Sequence, residues 1–138
     1  MSEDWCTIES DPGLFTELIS NIGVKNIQVN EILDFDIIES NTTIYGVIFL
    51  FKYMSKSNYK PNVLKEYDNE LYFAKQVIVN ACATQAILSI ILNNDCEIEI
   101  GETLKELKLF SNGMDPTLKG VCFSNCEKVK KEHNKFSK

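Results

Sequence analysis

The sequence predicts a helix-rich α+β domain. Three observations carry this reading. Most of the chain falls into segments whose apolar residues recur at helical spacing, several of them behind clear start signals. Only residues 5–9 and 43–53 have the composition of strands. The two kinds of element show no βαβ alternation, which argues against a doubly wound sheet.

Taken in order, residues 5–9 alternate loosely and predict a short strand. Ser10-Asp11-Pro12 predicts a helix start, with Asp11 capping free amides and Pro12 at the first helical position. Leu14, Phe15, Leu18, Ile19 and Ile22 form its apolar stripe, and Gly23 is the stop. Val29, Ile32 and Leu33 predict a second, short helix. Residues 43–53 are rich in β-branched and aromatic side chains and predict a core strand. Residues 55–62 are polar, contain Pro61 and predict a surface loop. From Ala81 onward the segment 76–93 is apolar on nearly every face, the pattern of a helix at the centre of a domain, and Asn80 is its expected cap. Residues 101–110 form an amphipathic helix carrying Leu104, Leu107 and Phe110. Asp115-Pro116 starts another. Ser124 and Glu127 form a capping box for a last helix, followed by a basic, polar tail.

The chain has 138 residues, enough for one domain or part of one, and residues 1–138 are read as a single unit. Hydrophobic residues make up 44% and charged residues 25%, ordinary values that support a packed core. The net charge of −6 disfavours nucleic acid, whose phosphates require a basic surface. No apolar run approaches the roughly 18 residues of a membrane span. The N-terminus does not read as a secretory signal. Five cysteines, an odd number, point away from a disulfide framework and towards a reducing compartment, cytosol or nucleus. Cys122 and Cys126 lack the further ligands that a metal site needs. No phosphate-binding glycine loop occurs, and no cofactor is implied.

The chemistry concentrates at Cys82. It stands at the expected start of the buried helix, where free amides and the helix dipole favour a thiolate. Acyl transfer also needs donors for the developing oxyanion. The backbone amide of Cys82 and the side-chain amide of Gln76, six positions upstream, suit that role. Spacing alone leaves a competing reading of Cys82 as a small buried hydrophobe.

The segment Phe73-Ala-Lys-Gln-Val-Ile-Val-Asn-Ala-Cys-Ala-Thr-Gln85 resembles the active-site segment of the ubiquitin C-terminal hydrolase family, which comprises papain-like cysteine peptidases. Trp5-Cys-Thr-Ile-Glu-Ser-Asp-Pro-Gly13 is similar to the opening of the proteasome-associated subfamily. Gly46-Val-Ile-Phe-Leu-Phe-Lys52, Gly101-Glu-Thr-Leu-Lys-Glu-Leu107 and His133-Asn-Lys-Phe136 resemble its core strand and later helices, in the same order. The resemblance implies the N-terminal half of an α-β-α catalytic domain that cleaves after the C-terminal glycine of ubiquitin. It implies Cys82 as nucleophile and Gln76 in the oxyanion hole. Glu9 and Glu31 fall where relatives place acids that contact ubiquitin, whose tail arginines pair well with carboxylates.

The resemblance also implies what these residues lack. The family's catalytic His and Asp lie in later segments that do not occur here. The lone histidine, His133, is expected to be an exposed helix residue rather than the base. The subfamily's proteasome-docking tail is absent as well. Residues 43–53 should expose an edge, and the Cys82 helix should lose part of its cover. The expected partner is ubiquitin or its conjugates, the subfamily resemblance also raises the proteasome although the docking tail is absent, and the chain is expected to be inactive by itself. The competing expectations are a catalytically dead ubiquitin-binding module and a fragment without function.

Overall fold

The structure is a computed structural model that describes residues 4–37, 42–52, 54–55 and 58–138. It holds five α-helices among these residues: α1 (Pro12–Ile22), α2 (Cys82–Leu92), α3 (Gly101–Ser111), α4 (Pro116–Ser124) and α5 (Glu127–Asn134). A 3-10 turn spans Phe35–Ile37.

The start signals at two helices act as read. The Asp11 carboxylate accepts from the Leu14 amide at 2.8 Å, and the Asp115 carboxylate does the same for Leu118 at 2.8 Å. A proline follows each at the first helical position. Gly23 ends α1 in the left-handed region, with φ of 117°, and its amide returns to the last-turn carbonyls. Gly101, with φ of 81°, opens α3 against it. A Cβ on Gly101 would lie 2.6 Å from the Gly23 carbonyl oxygen, so the two glycines allow the end of α1 and the start of α3 to touch.

The core forms where α2 meets the other helices. Ala81, Thr84, Ile87, Leu88, Ile91 and Leu92 are buried on α2 or its lead-in. Phe15, Leu18 and Ile22 from α1, Leu104 from α3, Phe123 from α4 and Val129 from α5 close around them. Each such side chain contributes about 1.5–3 kcal/mol through removal from water. The cover of α2 is incomplete, since Ala83, Ala86 and Ile90 are only half-buried.

Several expectations are corrected. Residues 5–9 form no strand; Trp5 is a core plug instead, stacked on Phe123 at 5.0 Å between ring centres. Residues 29–33 form no helix, and Ile32 and Leu33 are exposed. Phe110 lies outside the buried stripe of α3 and is 72% exposed. The last helix begins two residues later than its expected cap implies: Cys126 occupies the cap position, and the Ser124 hydroxyl donates to the Val121 carbonyl. Over residues 42–52 the described chain pairs with no strand, and Val47, Phe49, Leu50 and Phe51 face solvent. The end of that expected strand, Tyr53, lies outside the described residues, as do 56 and 57 of the expected surface loop.

The largest correction concerns His133. It is fully buried rather than exposed. Its Nε2 lies 2.7 Å from the Cys6 carbonyl oxygen and its Nδ1 lies 2.7 Å from Thr84 Oγ1. A carbonyl only accepts, so Nε2 carries the hydrogen and Nδ1 accepts from the threonine hydroxyl. The ring edge packs on Trp5 at 4.9 Å. Burial pushes the His133 pKa below its ordinary value, partly opposed by the hydrogen bond to Cys6. One residue earlier, Glu132 is also buried, and its carboxylate is held below the usual range by the hydrogen bond from Lys135 Nζ to its Oε1 at 3.0 Å.

Two outcomes are expected. Gly101→Ala should lower the unfolding free energy in urea by about 2 kcal/mol or more, because the added methyl meets backbone and the left-handed φ is strained. The neutral His133 imidazole gives stability that is full above the unfolded pKa, near 6.5, and is lost as pH falls from there through the depressed folded value. Urea midpoints should therefore drop between pH 7.5 and 5.5, and the drop should shrink in His133→Gln. Carboxylates such as Glu132 act in a lower window and leave this comparison clean.

Candidate active site

Cys82 is the first residue of α2, and its side chain is exposed. The residue ahead of it, Ala81, has no side chain able to cap a helix, and no side-chain hydrogen bond closes this helix start. Asn80, the expected cap, does something else. It adopts a left-handed φ of 73°, and its side-chain amide donates to the Trp5 carbonyl at 3.3 Å. The cap is thereby left open. The amides of the first turn, beginning at Cys82 itself, stay free for a negative charge, as the ends of helices allow.

The segment leading to Cys82 is laid across the helices by backbone anchors. The Asn93 side chain accepts from the Tyr72 amide at 2.8 Å and donates to the Tyr72 carbonyl at 2.9 Å. Gln85 donates from Nε2 to the Ala74 carbonyl at 2.8 Å. The Lys75 amide donates to the Pro116 carbonyl at 2.8 Å. Gly120 on α4 permits the crossing, because any Cβ there would strike the Lys75 carbonyl. The Tyr72 ring is buried where the chain passes, and its hydroxyl pKa is pushed up to about 12 by burial first and by the nearby Cys122 and Cys126 thiols second.

Gln76 follows these anchors and is exposed. Its amide Nε2 donates to the Ile78 carbonyl at 3.0 Å, within its own segment, and no hydrogen bond joins it to Cys82. Glu9 is exposed at the edge of α1 and pairs with Lys138 at 3.1 Å. Glu31 is exposed in the stretch between α1 and the 3-10 turn. His133 is engaged on both nitrogens and lies inside the core, so it is not presented to Cys82 as a base. Among the described residues no group of three His, Cys, Asp or Glu side chains could hold a metal ion. None of the helices among them is long and apolar enough to cross a membrane.

Two contributors escape a reading of the sequence. Gln85 lies three positions after Cys82 and holds the carbonyl at 74, and Gly120 admits that segment from a distant helix. The helical spacing of Gln85 from Cys82 was a usable signal. Nothing local to Gly120 marks its role.

The family model described as ubiquitin carboxyl-terminal hydrolase, family 1, matches residues 5–138. Ubiquitin carboxyl-terminal hydrolase 2 of Schizosaccharomyces pombe is 50% identical over 138 residues, covering 97% of this chain and 46% of the relative. Isozyme L5 of Dictyostelium discoideum is 47% identical, covering 99% of this chain and 39% of the relative. This chain therefore spans less than half the length of either. Among solved structures, the Trichinella spiralis UCH37 catalytic domain bound to ubiquitin vinyl methyl ester superposes with a TM-score of 0.88 at 42% identity, covering 99% of this chain and 64% of that one. The family model's match over residues 5–138, relatives identical at about half of the aligned positions and the shared fold lead to one conclusion: the chain belongs to the ubiquitin carboxyl-terminal hydrolase family.

Proposed function

We propose that these residues carry the nucleophile-bearing part of a cysteine hydrolase that cleaves after the C-terminal glycine of ubiquitin. The observation that carries the reading is an exposed thiol at the uncapped start of a buried helix. In the proposed reaction the Cys82 thiolate attacks the glycine carbonyl carbon. A C–S bond forms and the carbonyl electrons move onto oxygen. The first-turn amide of Cys82 and the Gln76 side chain, once released from the Ile78 carbonyl, donate to that oxyanion. Collapse breaks the C–N bond, and the amine leaves with the proton that the base took from the Cys82 thiol; water then hydrolyses the thioester to a carboxylate and the free thiol. Glu9 and Glu31 supply surface carboxylates for the arginine-bearing tail of the substrate. Glu9 exchanges its exposed pairing with Lys138 for that contact at little cost.

The base is the part these residues do not supply. His133, the one histidine in the sequence, is locked in the core. The proposal is therefore that the chain alone forms an adduct with an activated substrate but does not turn over. The burial of His133 also favours a second reading, a module that holds ubiquitin without cleaving it. The exposed apolar side chains of Ile44, Val47, Phe49, Leu50 and Phe51 suit packing against further strands of the family domain, where they would pair in a central sheet. Five free cysteines support a reducing setting such as cytosol or nucleus.

Incubation with ubiquitin bearing a C-terminal electrophile should add one ubiquitin to the chain, mapped by mass spectrometry to Cys82 and abolished by Cys82→Ala. Adduct on the exposed Cys96 instead would overturn the assignment. Reversible binding without any adduct would leave only the binding module. Glu9→Lys combined with Glu31→Lys should weaken ubiquitin binding by about tenfold, most visibly at low salt.

A further inference from the structure

Asn80 lies two positions before Cys82 and Thr84 two positions after it. Both are tied to the same strip of chain. Asn80 donates to the Trp5 carbonyl at 3.3 Å. Thr84 donates to His133 Nδ1 at 2.7 Å, and His133 Nε2 donates to the Cys6 carbonyl at 2.7 Å. Two consecutive carbonyls thus hold the backbone on either side of the thiol. The strip is itself fixed. Asn134 accepts from the Cys6 amide at 3.0 Å and donates to the Asp4 carbonyl at 3.1 Å. Trp5 is wedged between the Phe123 and His133 rings.

We propose that His133 is a positioning residue for Cys82, acting through Thr84. A neutral imidazole presents one donor and one acceptor on a rigid ring, which suits a bridge from a side-chain hydroxyl to a main-chain carbonyl. The imidazole and the Thr84 hydroxyl are fully buried, so water cannot replace the bond between them; the bond to the Cys6 carbonyl is partly buried. Loss of the bridge frees Thr84 and lets the first turn of α2 fray. The open cap makes this turn dependent on outside support, since no side chain of its own closes it. The catalytic meaning of this bridge rests on Cys82 being the nucleophile; its effect on thiol reactivity does not.

The test compares alkylation of Cys82 and Cys96 by iodoacetamide within the same full chain, read peptide by peptide. Thr84→Val removes the hydroxyl at constant shape, and His133→Phe keeps the packing on Trp5. Each should lower the Cys82-to-Cys96 rate ratio by about tenfold, as misplacement of a reacting group does. His133→Gln, which can both donate to Cys6 and accept from Thr84, should stay within about twofold of the parent, a rescue that space-filling alone would not give. An unchanged ratio in a folded Thr84→Val chain overturns the proposal. So does a His133→Gln chain as impaired as His133→Phe. Should the ubiquitin electrophile leave the parent Cys82 untouched while these ratios still fall, the positioning role stands and the hydrolase reading fails.

Discussion

One buried imidazole joins the parts of this fold that the candidate site requires. It takes a hydroxyl hydrogen from α2 on one nitrogen and gives its own to the N-terminal segment from the other. Each bond contributes about 1 kcal/mol net, and stranding the buried imidazole or the buried Thr84 hydroxyl would cost about 1–3 kcal/mol. The bridge fixes the N-terminal segment over the core, seats Trp5 between two rings and braces α2 next to its first residue. The starts of α1 and α4 are closed by an aspartate cap. The start of α2 is left open, and a distant histidine on α5 supports it from the side.

The molecule divides into two physical regimes. The helices share one continuous core; aspartate caps fix the starts of α1 and α4, and the contact of Gly23 with Gly101 fixes the junction of α1 with α3. The described residues between 42 and 79 are mostly exposed and contribute anchoring points such as Tyr72, Tyr45 and Ile48. Large apolar side chains on that stretch, including Phe49, Leu64 and Val79, stand in solvent. A surface of this kind is a candidate for burial against other chain, as contiguous apolar patches usually are. The segment that bears Gln76 belongs to this looser regime, yet it is pinned by Gln85, Pro116 and Gly120.

Local chemistry was legible in the sequence wherever a structure depends on neighbours in the chain. Asp11-Pro12 and Asp115-Pro116 announced two helices to the residue, and Gly23 announced a stop. The apolar run after Ala81 announced the central helix and placed Cys82 at its mouth. What depended on distant partners was not legible. Asn80 has the composition of a cap, but the Trp5 carbonyl, 75 residues away, claims its side chain. Ser124 is a local exception: it has the spacing of a capping box, but its hydroxyl turns back to the Val121 carbonyl three residues earlier. His133 stands among charged residues and reads as solvated; its two partners lie 49 and 127 residues away, beyond the reach of any local pattern. Strand composition in residues 43–53 reports a preference for pairing, and pairing is a property of the partner as much as of the segment.

The central claim is that the turn carrying Cys82 is held rigid by contacts outside its own helix. The Gln85 amide reports on it directly, because its hydrogen bond to the Ala81 carbonyl, 2.9 Å long, is the first of the helix. Native-state hydrogen exchange at that amide, followed by NMR, is the most direct measurement. The account predicts protection close to that of Leu88 and Ile91 in the middle of α2, set by opening of the whole domain. Exchange on the timescale of exposed loop amides would show a frayed helix start and contradict it.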